Sequence, residues 1–353
     1  MKFEVIAASR LPAEHIRRWN TLRAANPELV SPYFHPEFTA AAARAYGDVE
    51  VAIVEDGGAP IAFFPFHRRR FGVARPIGDR LSDYHGLIST AGTRLDARKL
   101  LRACRLKVFP FDHALASQAT FLPFSQLETE SPIVQFENGF DSYVDARKKA
   151  GSNRVSQVQR KARKLAREVG PIRLELHVDD ARVLDQIIRW KSEQCRRANI
   201  YDYFSDASAV RLVRDVARTK VDGFEGMVSV LYVGEHVAAA HMGMRSGNVL
   251  HWWFPGYDHA LAKYSPGGIL LLKLVEALAS RGVTTLDLGK GESAYKNAFM
   301  TGSVPLIEGV VDVPSVPALV RRARLGALRW RRSSKILAPL RNAWRARKGW
   351  QAP

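Results

Sequence analysis

Residues 249–297 read VLHWWFPGYDHALAKYSPGGILLLKLVEALASRGVTTLDLGKGESAYKN. An apolar strand, Val249 to Phe254, runs into Gly256-Tyr257-Asp258 and the turn Ser265-Pro266-Gly267-Gly268. A helix from Ile269 to Ser280 follows and closes at Gly282, as helices commonly do. Then come a short strand, Thr284 to Leu288, and a polar-aromatic turn, Ser293 to Asn297. This order places loop residues at the ends of neighbouring strands beside a helix N-terminus, so that they converge on one cleft.

The turn before Ile269 has two physical readings. Its glycines admit a ligand close to the backbone, and the free N–H groups of the helix suit a phosphate or pyrophosphate. Ser265 as N-cap with Pro266 at the first helical position fits the same letters as a plain helix start.

Outward from this stretch, strands and helices alternate. Val51 to Val54 and Ile61 to Phe64 flank Asp56-Gly57-Gly58, a hairpin signal. Val228 to Tyr232, the turn Val233-Gly234-Glu235-His236 and Val237 to Met244 repeat that arrangement. Helix-like segments precede each hairpin: Pro12 to Ala25 in the first half, Ala181 to Ala198 and Ser208 to Lys220 in the second. A repeat of helix, helix and meander implies two similar α/β domains in tandem.

The 353 residues suit two domains, since single cores stop growing near roughly 250 to 300 residues. Hydrophobic residues at 46% and charged residues at 25%, with a mean hydropathy of −0.17, describe a chain able to pack a core. The longest apolar run, Ile269 to Leu272, stops at Lys273, which excludes a membrane span. The N-terminus lacks the apolar block of a secretory signal, so a cytoplasmic location is expected. Cys104 and Cys195 have no partners at metal-ligand spacing, so no disulfide framework and no metal are expected.

The net charge of +18 and pI of about 10.1 point to anionic partners. After Asp312 no acidic residue occurs, while eleven arginines and lysines follow, interleaved with Leu, Ile and Trp. Residues 313–353 therefore read as a basic amphipathic helical tail suited to an anionic membrane surface, peripheral on the inner face, or equally as a helix packed on the body. Nucleic acid is disfavoured because no stacking motif accompanies the charge. A second basic cluster, Arg147 to Arg167, marks a connector.

The run Gly256-Tyr257-Asp258, Lys263-Tyr264-Ser265-Pro266-Gly267, Leu286-Asp287-Leu288-Gly289-Lys290-Gly291 and Tyr295-Lys296 resembles the signature of the CelD/BcsL-type acetyltransferases of cellulose and exopolysaccharide biosynthesis, in the GNAT superfamily. Ser31-Pro32-Tyr33-Phe34-His35-Pro36-Glu37-Phe38, Ser82-Asp83-Tyr84-His85 and Asn153-Arg154 extend the resemblance over residues 1–312, and it reaches more distantly to the FemAB aminoacyl transferases. It implies an α/β fold of two tandem GNAT-like domains with mixed, mostly antiparallel sheets: residues 1–140, a basic connector over 141–170, and the acyltransferase domain over 171–312.

The resemblance also implies an acyltransferase that moves an acyl group, as acetyl, from acyl-CoA to an amine or hydroxyl of a polar acceptor such as a sugar or polysaccharide precursor. Tyr264, Ser265, Gly267 and Gly268 would hold the pyrophosphate, and Tyr295 would protonate the leaving thiolate. Asp287 would orient or deprotonate the acceptor, His241 offers an imidazole, and Asp83, Tyr84 and Lys296 would form the acceptor side. The loop departs from the general GNAT phosphate fingerprint, which leaves open an aminoacyl-tRNA donor, as in the Fem relatives. A non-catalytic accessory of a polysaccharide synthase is the reading from another class.

Overall fold

A computed structural model describes residues 1–291 and 293–314; most of the expected tail, from residue 315, and Glu292 lie outside the described residues. The first half runs β1 (Lys2–Ala7), α1 (Ala13–Ala24), α2 (Pro36–Tyr46), β2 (Val49–Asp56), β3 (Ala59–Arg68), β4 (Ala74–Arg75), β5 (Ile88–Ser89), α3 (Ala97–Ala103), β6 (Val108–Leu115) and β7 (Ser125–Gln135). Two helices, α4 (Gly139–Lys149) and α5 (Arg154–Glu168), occupy the basic connector. The second half runs β8 (Ile172–Glu175), α6 (Ala181–Arg197), α7 (Ala207–Arg218), β9 (Lys220–Val221), β10 (Phe224–Val233), β11 (His236–Ser246), β12 (Val249–Tyr257), α8 (Pro266–Leu278), β13 (Thr285–Asp287), α9 (Ala294–Phe299) and β14 (Gly302–Asp312).

The expected repeat is present in the pairing. β1 lies antiparallel to β2, which turns into β3; β8 lies antiparallel to β10, which turns into β11, and two helices fill each interval. The β2–β3 turn is tight because Gly57 and Gly58 both take left-handed φ, 59° and 84°, at a two-residue hairpin. Helix α2 begins where the His35 ring accepts a hydrogen bond from the Glu37 amide, and Pro36 presets the first turn.

The strands form two sheets. The smaller has the order β1-β2-β3-β4 with β5 on β3, and the larger the order β6-β14-β7-β13-β12-β11-β10-β8 with β9 on β10. Among the named pairs, only β12 with β13 is parallel. The larger sheet draws β6 and β7 from the first 140 residues, so the two halves share hydrogen-bonded backbone as well as side-chain contacts. The fold is thus an α/β arrangement of two tandem units with mixed, mostly antiparallel sheets.

One apolar core joins Trp19, Phe34 and Phe38 of the first half to Leu212, Val213, Trp253 and Phe254 of the second, and a second lies between the larger sheet and helices α5 and α8. The basic stretch 153–169 is accordingly half structural: Val155, Val158 and Leu165 are buried in that second core. Residues 293–297, read from sequence as a turn, begin helix α9 instead, because the Ser293 hydroxyl caps the Lys296 amide at 3.2 Å. Among the described residues no helix is long and apolar enough to cross a membrane.

Trp253 ties the halves together directly. Its indole N–H donates to the Leu81 carbonyl at 2.7 Å, the Tyr33 hydroxyl donates to the same oxygen at 3.2 Å, and its ring meets those of Tyr33 and Phe38. Replacing it with alanine removes a buried ring and that bond, so Trp253→Ala should lower the urea-unfolding free energy by about 3–5 kcal/mol. A loss under about 1 kcal/mol would show that the halves are not coupled through this contact.

Candidate active site

β12 and β13 pair at Val249 with Thr285, Leu250 with Leu286 and His251 with Asp287. Beyond that last pair they part: β12 continues to Tyr257, while the other chain turns away through Leu288, Gly289 and Lys290. The gap leaves backbone polar groups of β12 without a neighbouring strand on that side, available to a ligand. The two residues at its apex, His251 and Asp287, are both buried and both titratable.

Four chain segments meet at this apex. Asp287 Oδ2 accepts from the Tyr84 hydroxyl at 2.5 Å, and Oδ1 accepts from the Ser131 hydroxyl at 2.7 Å and the Gly289 amide at 2.8 Å. His251 Nε2 lies 3.0 Å from Asp83 Oδ2, and Nδ1 lies 3.6 Å from Asp287 Oδ1. Lys296 Nζ donates to the carbonyls of Gly289 and Lys290 at 2.8 and 2.7 Å, bracing the turn that carries Asp287. Gly289 has to be glycine here: φ is 78°, and a Cβ would stand 2.5 Å from Asp83 Oδ2.

The charges set one another. Burial alone would lower the His251 pKa, but the bonds and charges of Asp287 and Asp83 raise it to about 9, so the ring is an imidazolium at neutral pH. Burial would raise both carboxyls; His251 outweighs it and holds Asp83 and Asp287 below the ordinary carboxylate range, with Tyr84 and Ser131 adding to the effect at Asp287. Burial pulls Lys296 down, although Asp83 and Asp287 resist. Lys191 on α6 faces the same charges, and burial lowers it to about 8.

Of the residues expected from sequence, Asp83, Tyr84, Asp287 and Lys296 come together here. Asp287 already accepts three hydrogen bonds, which suits it to holding the apex and leaves it a poor proton acceptor. Asp83 is more open: its side chain retains 27% exposure, and its second oxygen lies 3.7 Å from His113 Nε2.

His241 and Tyr295 instead belong to the opposite face of the sheet. The His241 ring stacks on Trp252 with centroids 4.2 Å apart, is fully buried, and has no hydrogen-bond partner on either nitrogen. Burial lowers its pKa to about 3, so it is a neutral imidazole. Tyr295 packs edge-on against Phe299, and burial raises its hydroxyl above the ordinary phenol range. Ser229 and Trp252 add further buried polar atoms without partners on this face.

Tyr264, Ser265, Gly267 and Gly268 form the start of α8. The Tyr264 hydroxyl donates to Glu168 at 2.8 Å, and Ser265 takes a left-handed φ of 58° and makes no side-chain cap. Its hydroxyl accepts from Lys161 Nζ at 2.8 Å. The amides of Gly268 and Ile269 already donate to the Ser265 carbonyl, which leaves the Gly267 N–H. A Cβ on Gly267 would meet only Tyr257, at 3.5 Å, whereas one on Gly268 would meet Val158 at 3.2 Å. Gly267 is thus open to a ligand, and Gly268 serves the packing of α8 on α5.

Sequence reasoning missed His251, Ser131 and Lys191, and a neighbouring cluster of His85, Asp112 and His113; Lys161 belongs to the basic cluster that the sequence shows. The donor atoms of that cluster lie within 4.8 Å of one another, the spacing a metal ion needs. Asp112 Oδ1 is 2.8 Å from His85 Nε2 and 2.9 Å from His113 Nδ1, while Lys290 Nζ bonds the Asp112 carbonyl at 2.7 Å and Glu308 at 2.7 Å. Lys290 Nζ also stands 3.6 Å from Asp112 Oδ2, which sets a positive charge beside that carboxylate.

Residues 152–297 match the family profile described as Acetyltransferase (GNAT) domain, which spans α5 to α9 and includes the fork between β12 and β13. Among solved structures, the crystal structure of FemX is 10% identical, covering 91% of this chain and 99% of that one, with a TM-score of 0.58. The C-terminal domain of a putative lysylphosphatidylglycerol synthetase from Agrobacterium fabrum is 12% identical, covering 90% and 97%, with a TM-score of 0.50. A tandem GNAT protein from the clavulanic acid biosynthesis pathway is 11% identical, covering 89% of this chain and 99% of that one, with a TM-score of 0.49. No curated protein matches the chain. Over residues 152–297 the chain is thus similar to a GNAT acetyltransferase domain, and its fold as a whole is shared with FemX.

The charge arrangement fixes a pH dependence. The folded pKa of His251 lies above its unfolded value of roughly 6.5, so its contribution is fully present below that pH and disappears as pH rises through about 9. The depressed pKa values of Asp83 and Asp287 act the other way, adding stability that is lost in acid. Urea unfolding of the native chain should therefore weaken between pH 6.5 and 9 by an amount on the order of 3 kcal/mol that is absent in His251→Gln. Identical slopes in the two proteins would rule out a charged His251.

Proposed function

We propose that the protein is an acyltransferase that moves an acyl group from acyl-CoA to an amine or hydroxyl of a polar acceptor, in exopolysaccharide or cell-envelope biosynthesis. The observation that carries this reading is the fork itself: β12 and β13 part at His251 and Asp287, with the start of α8 beyond the far end of β12, inside a matched acetyltransferase domain. The tandem units divide at about residues 140 and 170, and the enzyme acts in the cytoplasm.

The donor would lie in the fork. Its pyrophosphate would meet the Gly267 N–H, the Ser265 hydroxyl and the Lys161 ammonium, which supply a fixed donor and a positive charge at a helix N-terminus. Unpaired amides of β12 would face the thioester carbonyl, where negative charge develops during attack. Asp83 would accept a hydrogen bond from the incoming amine or hydroxyl and orient it, its proton passing to solvent as the new bond forms, while the His251 imidazolium and Lys296 hold the cluster's charge in balance.

As the acceptor bonds to the acyl carbon, the carbon–sulfur bond breaks and the electron pair leaves on sulfur. Tyr295 remains protonated at neutral pH and so can donate to that sulfur. Full transfer to a thiolate of ordinary pKa, about 8.5, is uphill, so its part is a stabilising hydrogen bond. The sulfur takes its final proton from solvent. Neutral His241 beneath Trp252 supplies shape and polarity on the same face.

A second reading, an aminoacyl-tRNA donor, is favoured by the exposed cations of α5, including Arg160, Lys164 and Arg167. The likeness to FemX agrees with it at the level of the fold. The two readings separate by binding. Acetyl-CoA should raise the thermal midpoint, Gly267→Trp should abolish that rise, and Lys161→Ala should weaken donor binding by about tenfold, the equivalent of roughly 1.4 kcal/mol. No response to acyl-CoA, together with salt-sensitive tRNA binding, would replace the first reading with the second.

Tyr295→Phe should lower kcat for acyl transfer by about 100-fold with donor binding unchanged. Unchanged turnover would remove Tyr295 from the chemistry.

A further inference from the structure

An exposed knob stands on the first half, away from the fork. Phe71 is 81% exposed and sits in left-handed backbone, φ 61° and ψ 25°, a conformation that bulky residues rarely take. The turn that carries it packs on a second one: the Lys107 amide donates to the Gly72 carbonyl at 2.7 Å, and Arg105, also at positive φ, precedes it. Arg70, Arg102, Arg105 and Lys107 are all exposed on these turns or at the helix end beside them, and none forms an ion pair with an acidic side chain among the described residues. Neighbouring acids are engaged elsewhere: Glu50 with Arg68, and Asp96 with the first amides of α3.

The end of the described chain arrives at the same place. β14 pairs with β6 down to Asp312 against Val108, and the Val313 amide donates to the Lys107 carbonyl at 2.9 Å. The described chain therefore ends beside the turn that carries Phe71, ahead of residues 315–353, whose sequence holds eleven arginines and lysines, Trp330, Trp344, Trp350 and no acidic residue.

We propose that this knob is a docking surface for an anionic lipid bilayer, with Phe71 entering the headgroup region and the four cations on lipid phosphates. An exposed aromatic with cations on its own turn and the adjoining one is what such an interface needs, because apolar insertion and charge attraction act at the same surface. The sequence that continues from this point, residues 315–353, has the same cationic and aromatic composition. The assignment is independent of which acyl donor the fork takes.

The test uses the full-length chain with Phe71→Cys labelled with a polarity-sensitive fluorophore, Cys104 and Cys195 being buried. Vesicles of phosphatidylglycerol and phosphatidylcholine should shift its emission to the blue, and pure phosphatidylcholine should not. In the unlabelled chain, the triple variant Arg70→Glu, Arg105→Glu, Lys107→Glu should keep its thermal midpoint and lose at least tenfold in cosedimentation with the anionic vesicles. An unshifted fluorophore on protein that cosediments would mean that the tail alone holds the membrane, and would overturn the proposal. Binding of RNA that the triple variant loses, without vesicle binding by the native chain, would overturn it as well.

Discussion

The structure turns on one buried charge. His251 stands at the last paired position of two parallel strands, between a carboxylate on its own sheet and one on a loop 168 residues earlier in the chain. An imidazolium there lets two carboxylates share a desolvated space that would otherwise force one of them to take up a proton. Asp287 can then accept bonds from Tyr84, Ser131 and Gly289 at once, which ties β7, β13 and the loop at Asp83 and Tyr84 to the point where β12 departs. The gap is held open by charge at its apex and by the apolar cores on both faces.

That placement divides the work between two faces of one sheet. On one lie the charged groups suited to an acceptor: Asp83, Lys296 and Lys191. On the other lie Trp252, Tyr295 and the neutral His241, next to α8, whose first turn offers Gly267, and to α5, which carries Lys161. A thioester running through the gap would have its reacting carbon where the faces communicate. Tandem repetition makes this possible, because the first unit supplies the Asp83 loop and two strands of the larger sheet.

Much of the fold was readable in the sequence, for local reasons. Gly57-Gly58 declares a hairpin, whereas the helix expected to run to Gly282 already ends at Leu278. The repeat of two helices before each meander is visible because amphipathic period and turn residues are local signals. Asp83, Tyr84 and Asp287 were reached through motif resemblance, and the structure brings them into contact. His251 was not singled out: within Val249 to Phe254 it is one polar letter in an apolar strand, and its meaning comes from partners distant in sequence. Ser131 and the His85, Asp112 and His113 cluster were hidden for the same reason. Ser265 shows the reverse case. Its letter suggests a cap, yet Lys161 claims its hydroxyl and its backbone turns left-handed.

The protonation of His251 at rest tests this account most directly. Nitrogen-15 NMR of the histidine rings, assigned with His251→Gln, reads both ring nitrogens of the native chain at pH 7.5. The account requires two protonated nitrogens that persist to about pH 9. A neutral ring with one bare nitrogen at pH 7.5 would contradict it, since the two carboxylates would then have no buried counter-charge at the apex.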